Sequence, residues 1–254
     1  MNIRILGSGT SSGVPRVGND WGACDPGNPR NLRTRASILV RAGGRAILVD
    51  TSPDLRAQLL AARVAAVDAV IWTHDHADHC HGIDDLRQLF HARGRPVEAY
   101  ARADTLASLK TRFAYAFEGK DGYPPLAAGH ELPDAIGIGP VAVRVADQPH
   151  GTANSAGLRF DAAGKSCAYS TDFNDLTKEM ADLFEGVDLW IVDCLRRRPH
   201  PTHPHLGLVL EWVERLEPAR AVLTHLDQSM DYATLAAELP ETIEPGYDGM
   251  EIDL

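Results

Sequence analysis

Cysteine, long apolar runs and positive charge are all in short supply in this 254-residue chain. Its four cysteines, at 24, 80, 167 and 194, stand far apart and form no C-x-x-C pair, so their even number is no evidence for disulfides. No apolar run approaches the ~18 residues of a membrane span. The opening Met1-Asn-Ile-Arg-Ile-Leu lacks a signal-like apolar region and a small-residue cleavage site. A cytoplasmic protein with reduced thiols is the expectation. Lys and Arg number 25 against 35 Asp and Glu, a formal charge of −10. That balance argues against large nucleic acid or anionic membrane as partner, because like charges repel at long range. A small anionic substrate on a local cationic site is still allowed. A dinucleotide fingerprint is also missing: the glycines of Gly7-Ser-Gly-Thr-Ser-Ser-Gly13 are spaced G-x-G-x-x-x-G, and Val14-Pro-Arg-Val-Gly-Asn-Asp20 after them is no helix start.

What is present is an ordinary globular composition, 44% hydrophobic and 24% charged, with no repeat, low-complexity tract or flexible linker. One domain over 1–254 is expected. Apolar patterning predicts strands at 2–6, 36–41 and 45–50, the last two joined at Ala42-Gly-Gly44 as a hairpin. Ser52-Pro53 reads as the N-cap and first position of a helix continuing over 55–63. Further strands are expected at 67–73, 139–146, 166–170, 189–193 and 221–224. Further helices are expected at 82–92, 105–116, 177–184, 205–216 and 231–239, and 14–35 reads as a long loop. Strands that end in chemically rich loops and lead into helices imply helices packed on mixed sheets, with function at the strand ends.

Eleven histidines are the unusual feature, and they are focused. Directly after an apolar strand comes Thr73-His-Asp-His-Ala-Asp-His79. Imidazole and carboxylate are the donors that Zn²⁺, and also Mn²⁺ or Fe²⁺, accept. In an extended loop, residues 74 and 76 point the same way, so one ion can sit between their rings. Asp78 and His79 lie past the bend and can reach a second ion. Asp75 and His81 fall outside this pattern.

His74-x-His76-x-Asp78-His79 resembles the signature of the metallo-β-lactamase superfamily. The resemblance implies an α/β (α+β type) four-layer αββα sandwich of two mixed β-sheets flanked by helices. It also implies two divalent ions per chain: His74, His76 and His150 on one, Asp78, His79 and His225 on the other, and Asp172 bridging. Leu6-Gly-Ser-Gly-Thr-Ser-Ser-Gly-Val-Pro15 and Glu244-Pro-Gly-Tyr-Asp-Gly-Met250 resemble the PhnP-like branch, the phosphoribosyl cyclic phosphodiesterases. In that branch a His just before a helix is the general acid. His203-Pro-His-Leu206 matches it, which favours His203 over His200 or His205. A cysteine-rich structural zinc site occurs in some of those enzymes, but Trp21–Pro26 offers one cysteine, Cys24, which counts against it here.

The activity so implied is metal-dependent hydrolysis of a small cyclic ribose or nucleotide-like phosphodiester. Hydroxide generated between the two ions would attack, with Asp78 and His203 in catalytic roles. For substrate contacts the candidates are Arg196, Arg197, Arg198 and Tyr247, although the arginine run reads slightly better as a solvated cationic turn. The aromatic stretch from Arg112 to Tyr123 is open to base stacking, to covering the site or to packing a homodimer partner. Two competing readings share the superfamily: a tRNA-processing endonuclease, demoted for want of a basic surface, and a pyrroloquinoline-quinone-biosynthesis-like oxidoreductase or carrier.

Overall fold

The computed structural model describes residues 1–254. In chain order the first half runs β1 (Asn2–Gly7), β2 (Ser37–Ala42), β3 (Arg45–Val49), α1 (Leu55–Ala61), β4 (Ala69–Ile71), α2 (Ala77–Cys80), α3 (Leu86–Arg93), β5 (Val97–Ala101), α4 (Ala103–Arg112), α5 (Ala114–Glu118) and β6 (Ala127–Glu131). The second half runs β7 (Ala135–Ile138), β8 (Val141–His150), β9 (Ala153–Ala162), β10 (Lys165–Ser170), α6 (Lys178–Phe184), β11 (Leu189–Asp193), α7 (Leu206–Leu216), β12 (Ala221–Thr224), α8 (Tyr232–Glu238), β13 (Ile243–Pro245) and β14 (Glu251–Asp253). They form two seven-stranded sheets, ordered β14-β1-β2-β3-β4-β5-β6 and β13-β12-β11-β10-β9-β8-β7. In each sheet one half pairs antiparallel and the other half parallel.

Strand alternation decides which side chains go where. Ile3, Ile5, Ile38, Val40, Ile47 and Val49 of the first sheet meet Val143, Leu158, Tyr169 and Ile191 of the second in one core. The intervening Leu39, Leu48 and Val70 point the other way, under a helical layer that includes Leu59, Leu86 and Leu109. On the outer face of the second sheet Trp190, Val192 and Leu223 pack under Met180, Val209 and Leu235. Both faces of the central strands are therefore buried, which is why they read as unbroken apolar runs. The result is the expected four-layer sandwich of two mixed sheets flanked by helices.

Several local expectations are corrected. Asp54, not Ser52, precedes the first helical turn, and its carboxylate accepts the Arg35 N–H instead of capping the helix. Ser52 Oγ accepts the Asp54 N–H at 3.2 Å and donates to Gln58, an upstream turn. The helix expected over 105–116 is two, broken at Phe113, whose φ of −126° and ψ of 41° leave the helical region. The region 82–92 starts as a 3-10 turn at 83–85. Strand 139–146 runs on to His150, so that histidine ends β8 instead of following it.

Candidate metal centre

The chemistry gathers where strands end. Asp50 follows β3, His74 lies three residues past β4, His150 ends β8, Asp172 lies two residues past β10, Asp193 ends β11 and His225 follows β12. Asp50, Asp172 and His225 adopt left-handed backbone, with φ of 63°, 55° and 57°. Such conformations cost about 1–3 kcal/mol and persist where the surroundings enforce them. Here they turn the chain sharply as it leaves the sheet. The Asp172 turn is pinned from beneath: Ser155 Oγ donates to the Asp172 carbonyl at 2.7 Å and Gln148 to the Thr171 carbonyl at 3.0 Å. Past the histidine run, Gly82 is required by close approach, since a Cβ there would stand 2.0 Å from the Ser52 carbonyl oxygen.

The seven side chains expected as ligands come together. Donor atoms of His74, His76, His150 and Asp172 lie within 4.8 Å of one another, as do those of Asp78, His79, Asp172 and His225. Asp172 belongs to both groups and divides its carboxylate between them. Its Oδ2 is 3.6 Å from Nε2 of His74 and of His150. Its Oδ1 is 3.2 Å from His79 Nε2 and 3.4 Å from His225 Nε2. Asp78 completes the second group, 3.3 Å from His79 Nε2 and 3.5 Å from His225 Nε2. His76 is exposed at the mouth, its Nδ1 3.3 Å from His150 Nε2.

Hydrogen bonds behind the rings fix which nitrogen faces inward. Thr73 Oγ1 has one proton and gives it to Asp50, so it accepts from His74 Nδ1 at 3.0 Å. His79 Nδ1 donates to Asp50 at 2.7 Å, and His150 Nδ1 to the Thr202 carbonyl at 2.9 Å. In its neutral form each ring is left with a lone pair on Nε2, aimed at Asp172. Nε2 of His74, His79 and His225 is buried without a hydrogen-bond partner. Such acceptors facing a carboxylate at 3.2–3.6 Å call for positive charge between them, a proton on the ring or a bound cation. This donor set fits divalent ions of the zinc, manganese and iron type.

The electrostatics divide the rings: burial lowers His74 and His150, whereas the carboxylates raise His79 and His225. Burial disfavours a charged His225, yet the carboxylates of Asp172, Asp193 and Asp78 outweigh it and raise its pKa to about 9. Burial likewise opposes charge on His79, and Asp172, Asp78 and Asp50 overcome it. Against the cost of its own burial, Asp172 is held ionised by His225, His79 and His74. Carboxylates dominate the pocket and draw positive charge into it.

Asp50 and Asp193 do not stand out in the sequence. Asp193 Oδ2 accepts from His203 Nδ1 at 2.8 Å and from the Asp172 N–H at 2.9 Å. His203 Nε2 in turn lies 3.9 Å from Asp172 Oδ2, so the expected acid borders the metal groups. The signal that could have found both aspartates is positional: each ends an apolar strand, as the metal-group residues do.

The remaining candidates are placed elsewhere. Arg196 donates to the Arg198 and Pro199 carbonyls, and Arg197 pairs with Glu238 at 2.7 Å on the surface. Arg198 is exposed. The Tyr247 ring stacks 4.6 Å from the Arg30 guanidinium. Asp75 takes hydrogen bonds from Ser108 and Arg112, and Arg112 donates to His81 at 2.7 Å, which keeps both residues out of the metal groups. Cys24 is buried beside Arg33.

Among known families, the Beta-lactamase superfamily domain matches residues 45–226. The octanoyltransferase of Porphyromonas gingivalis is 34% identical over 262 residues, covering 99% of this chain and 51% of that protein. The chain thus spans about half of that relative's length. A crystal structure described as a new diphosphatase from the PhnP family superposes with a TM-score of 0.90 at 33% identity, over 99% of this chain and 96% of that one. Zn²⁺-bound PqqB from Methylobacterium extorquens superposes with a TM-score of 0.79 at 21% identity over all of both chains, a likeness of fold. No helix is long and apolar enough to cross a membrane. The chain belongs to the beta-lactamase superfamily, with the metallo-β-lactamase fold, and within it resembles the PhnP family.

Proposed function

We propose that the protein is a metal-dependent phosphodiesterase acting on a small cyclic ribose or nucleotide-like phosphodiester. The observation that carries this reading is His203, oriented by Asp193 and set beside the divided Asp172 carboxylate. His74, His76, His150 and Asp172 would hold one divalent ion, zinc, manganese or iron, and Asp78, His79, Asp172 and His225 another. Ions bound there would draw negative charge off a phosphoryl group and lower the pKa of water toward neutrality.

The chain's own residues supply the rest. Asp193 accepts the Nδ1 proton of His203 and so leaves Nε2 as the position that carries the transferable proton. The Nε2 proton then goes to the departing alkoxide oxygen, a poor leaving group unless protonated. Asp172, bonded through its N–H to the same Asp193 oxygen, keeps acid and metal groups in register.

Doubly esterified diphosphates are a related class, since each phosphorus in them is disubstituted, with one ester and one anhydride linkage, and the solved relative at 33% identity is named a diphosphatase. Acyl transfer, suggested by the octanoyltransferase relative, is less well supported. Cys80 directs its thiol at the Asp75 carbonyl, and burial pushes its pKa up to about 11. Burial also raises Cys194. No activated thiol stands at the site. The test is a panel of 2′,3′-cyclic nucleotide, dinucleoside diphosphate, structured RNA and acyl thioester, assayed with each metal restored. Metal-dependent turnover of one of the first two supports the reading; turnover of RNA or thioester alone overturns it.

A further inference from the structure

The loop between β11 and α7 carries a second histidine beside His203, and its geometry is specific. His200 is half-buried, its ring centroid 5.1 Å from that of His203. His203 itself lies 4.9 Å from His225 and 5.0 Å from His150. The Thr202 backbone N–H, which can only donate, points at His200 Nδ1 at 3.3 Å. Nδ1 is therefore the acceptor and the proton of the neutral ring sits on Nε2. The Thr202 carbonyl meanwhile takes the His150 Nδ1 proton, so one residue orients both rings.

This segment is held rigidly. Pro199 and Pro201 flank His200 and fix their own φ. The Pro199 carbonyl accepts from Arg196 and the Pro201 carbonyl from Asn174, each at 3.0 Å. Burial, with His203 and Arg196 nearby, lowers the His200 pKa and keeps the ring neutral. A neutral N–H donor on a braced loop beside a proton donor is suited to contact substrate without competing for its proton.

We infer that His200 contacts the leaving group of the substrate through Nε2–H, selecting leaving groups that carry a hydrogen-bond acceptor, a ribose hydroxyl or a further phosphate oxygen, next to the scissile one. The inference rests on the phosphodiesterase reading above. His200 is thus a determinant of substrate class, distinct from the acid His203.

Two substitutions separate contact from loop support. In His200→Asn the amide oxygen can replace Nδ1 as acceptor for Thr202, but no donor reaches the Nε2 position. In His200→Gln an amide N–H can reach that position while the Thr202 acceptor is lost. With metal content matched, kcat/KM of the Asn variant on a 3′,5′-cyclic ribonucleotide, whose free 2′-hydroxyl neighbours the scissile 3′ oxygen, should fall about tenfold, mostly through KM, the loss of roughly one hydrogen bond. On bis(4-nitrophenyl) phosphate it should change less than about twofold, and the Gln variant should recover most of the cyclic-nucleotide loss. Equal losses on both substrates, or a Gln variant no better than Asn, overturn the role of His200 alone. Wild-type protein with no metal-dependent turnover of either substrate overturns the phosphodiesterase reading beneath it.

Discussion

His203 Nδ1 stands 2.8 Å from Asp193 Oδ2, and that oxygen also accepts the Asp172 N–H at 2.9 Å. The acid is thereby tied to the carboxylate shared by both metal groups. An imidazole held this way keeps Nε2 toward substrate. His203→Ala should cut kcat on alkyl-leaving-group diesters by about 10²–10⁴, and Asp193→Asn by a comparable or somewhat smaller factor. On bis(aryl) phosphates, whose leaving groups need no proton, both losses should be far smaller. Steady-state kinetics on the two substrate types make the comparison, and equal losses would remove His203 as general acid.

Asp50 touches no substrate, yet it receives His79 Nδ1 at 2.7 Å and Thr73 through both N–H and hydroxyl. It sets the tautomer of His79 directly and of His74 through Thr73. Asp50→Asn should weaken divalent-metal affinity by about 10–100-fold. Chelator competition measures this; an unchanged affinity would mean that the rings are oriented by packing alone.

Arg33 is 2% exposed and donates to the Asp227 and Met230 carbonyls at 3.2 Å and 2.7 Å. Those carbonyls belong to the loop after His225. Replacing Arg33 by Met fills most of the space but strands both acceptors, so the variant should lose about 2–4 kcal/mol of stability. Urea unfolding reads the loss, and a change under about 1 kcal/mol would show that water or backbone shifts satisfy the carbonyls instead.

The histidine run is legible in the sequence because its donors sit within six residues, so spacing alone brings them to one place. Asp172 and His225 are found through the superfamily resemblance together with their strand-end positions. Asp50 and Asp193 are not, because a single aspartate after an apolar strand gains meaning only from partners far off in sequence, His79 for one and Asp172 for the other. Strand β9 escapes detection for a similar reason. Its Ala-Asn-Ser-Ala-Gly opening is small and polar, and pairing with β8 along its whole length makes it a strand. The break at Phe113 is hidden by a helix-like composition on both sides, while Leu126, beyond the turn, gives its N–H to the Ala116 carbonyl and fixes the short second helix in place.

The central claim is that Asp172 joins two cation sites. The most direct measurement is the number of divalent ions bound per chain at saturation, for wild type and Asp172→Asn side by side, by elemental analysis after equilibrium dialysis. The account predicts about two ions in the wild type, with both sites weakened together by the single substitution. Fewer than one ion in the wild type, or a variant that keeps both ions at unchanged affinity, would contradict it.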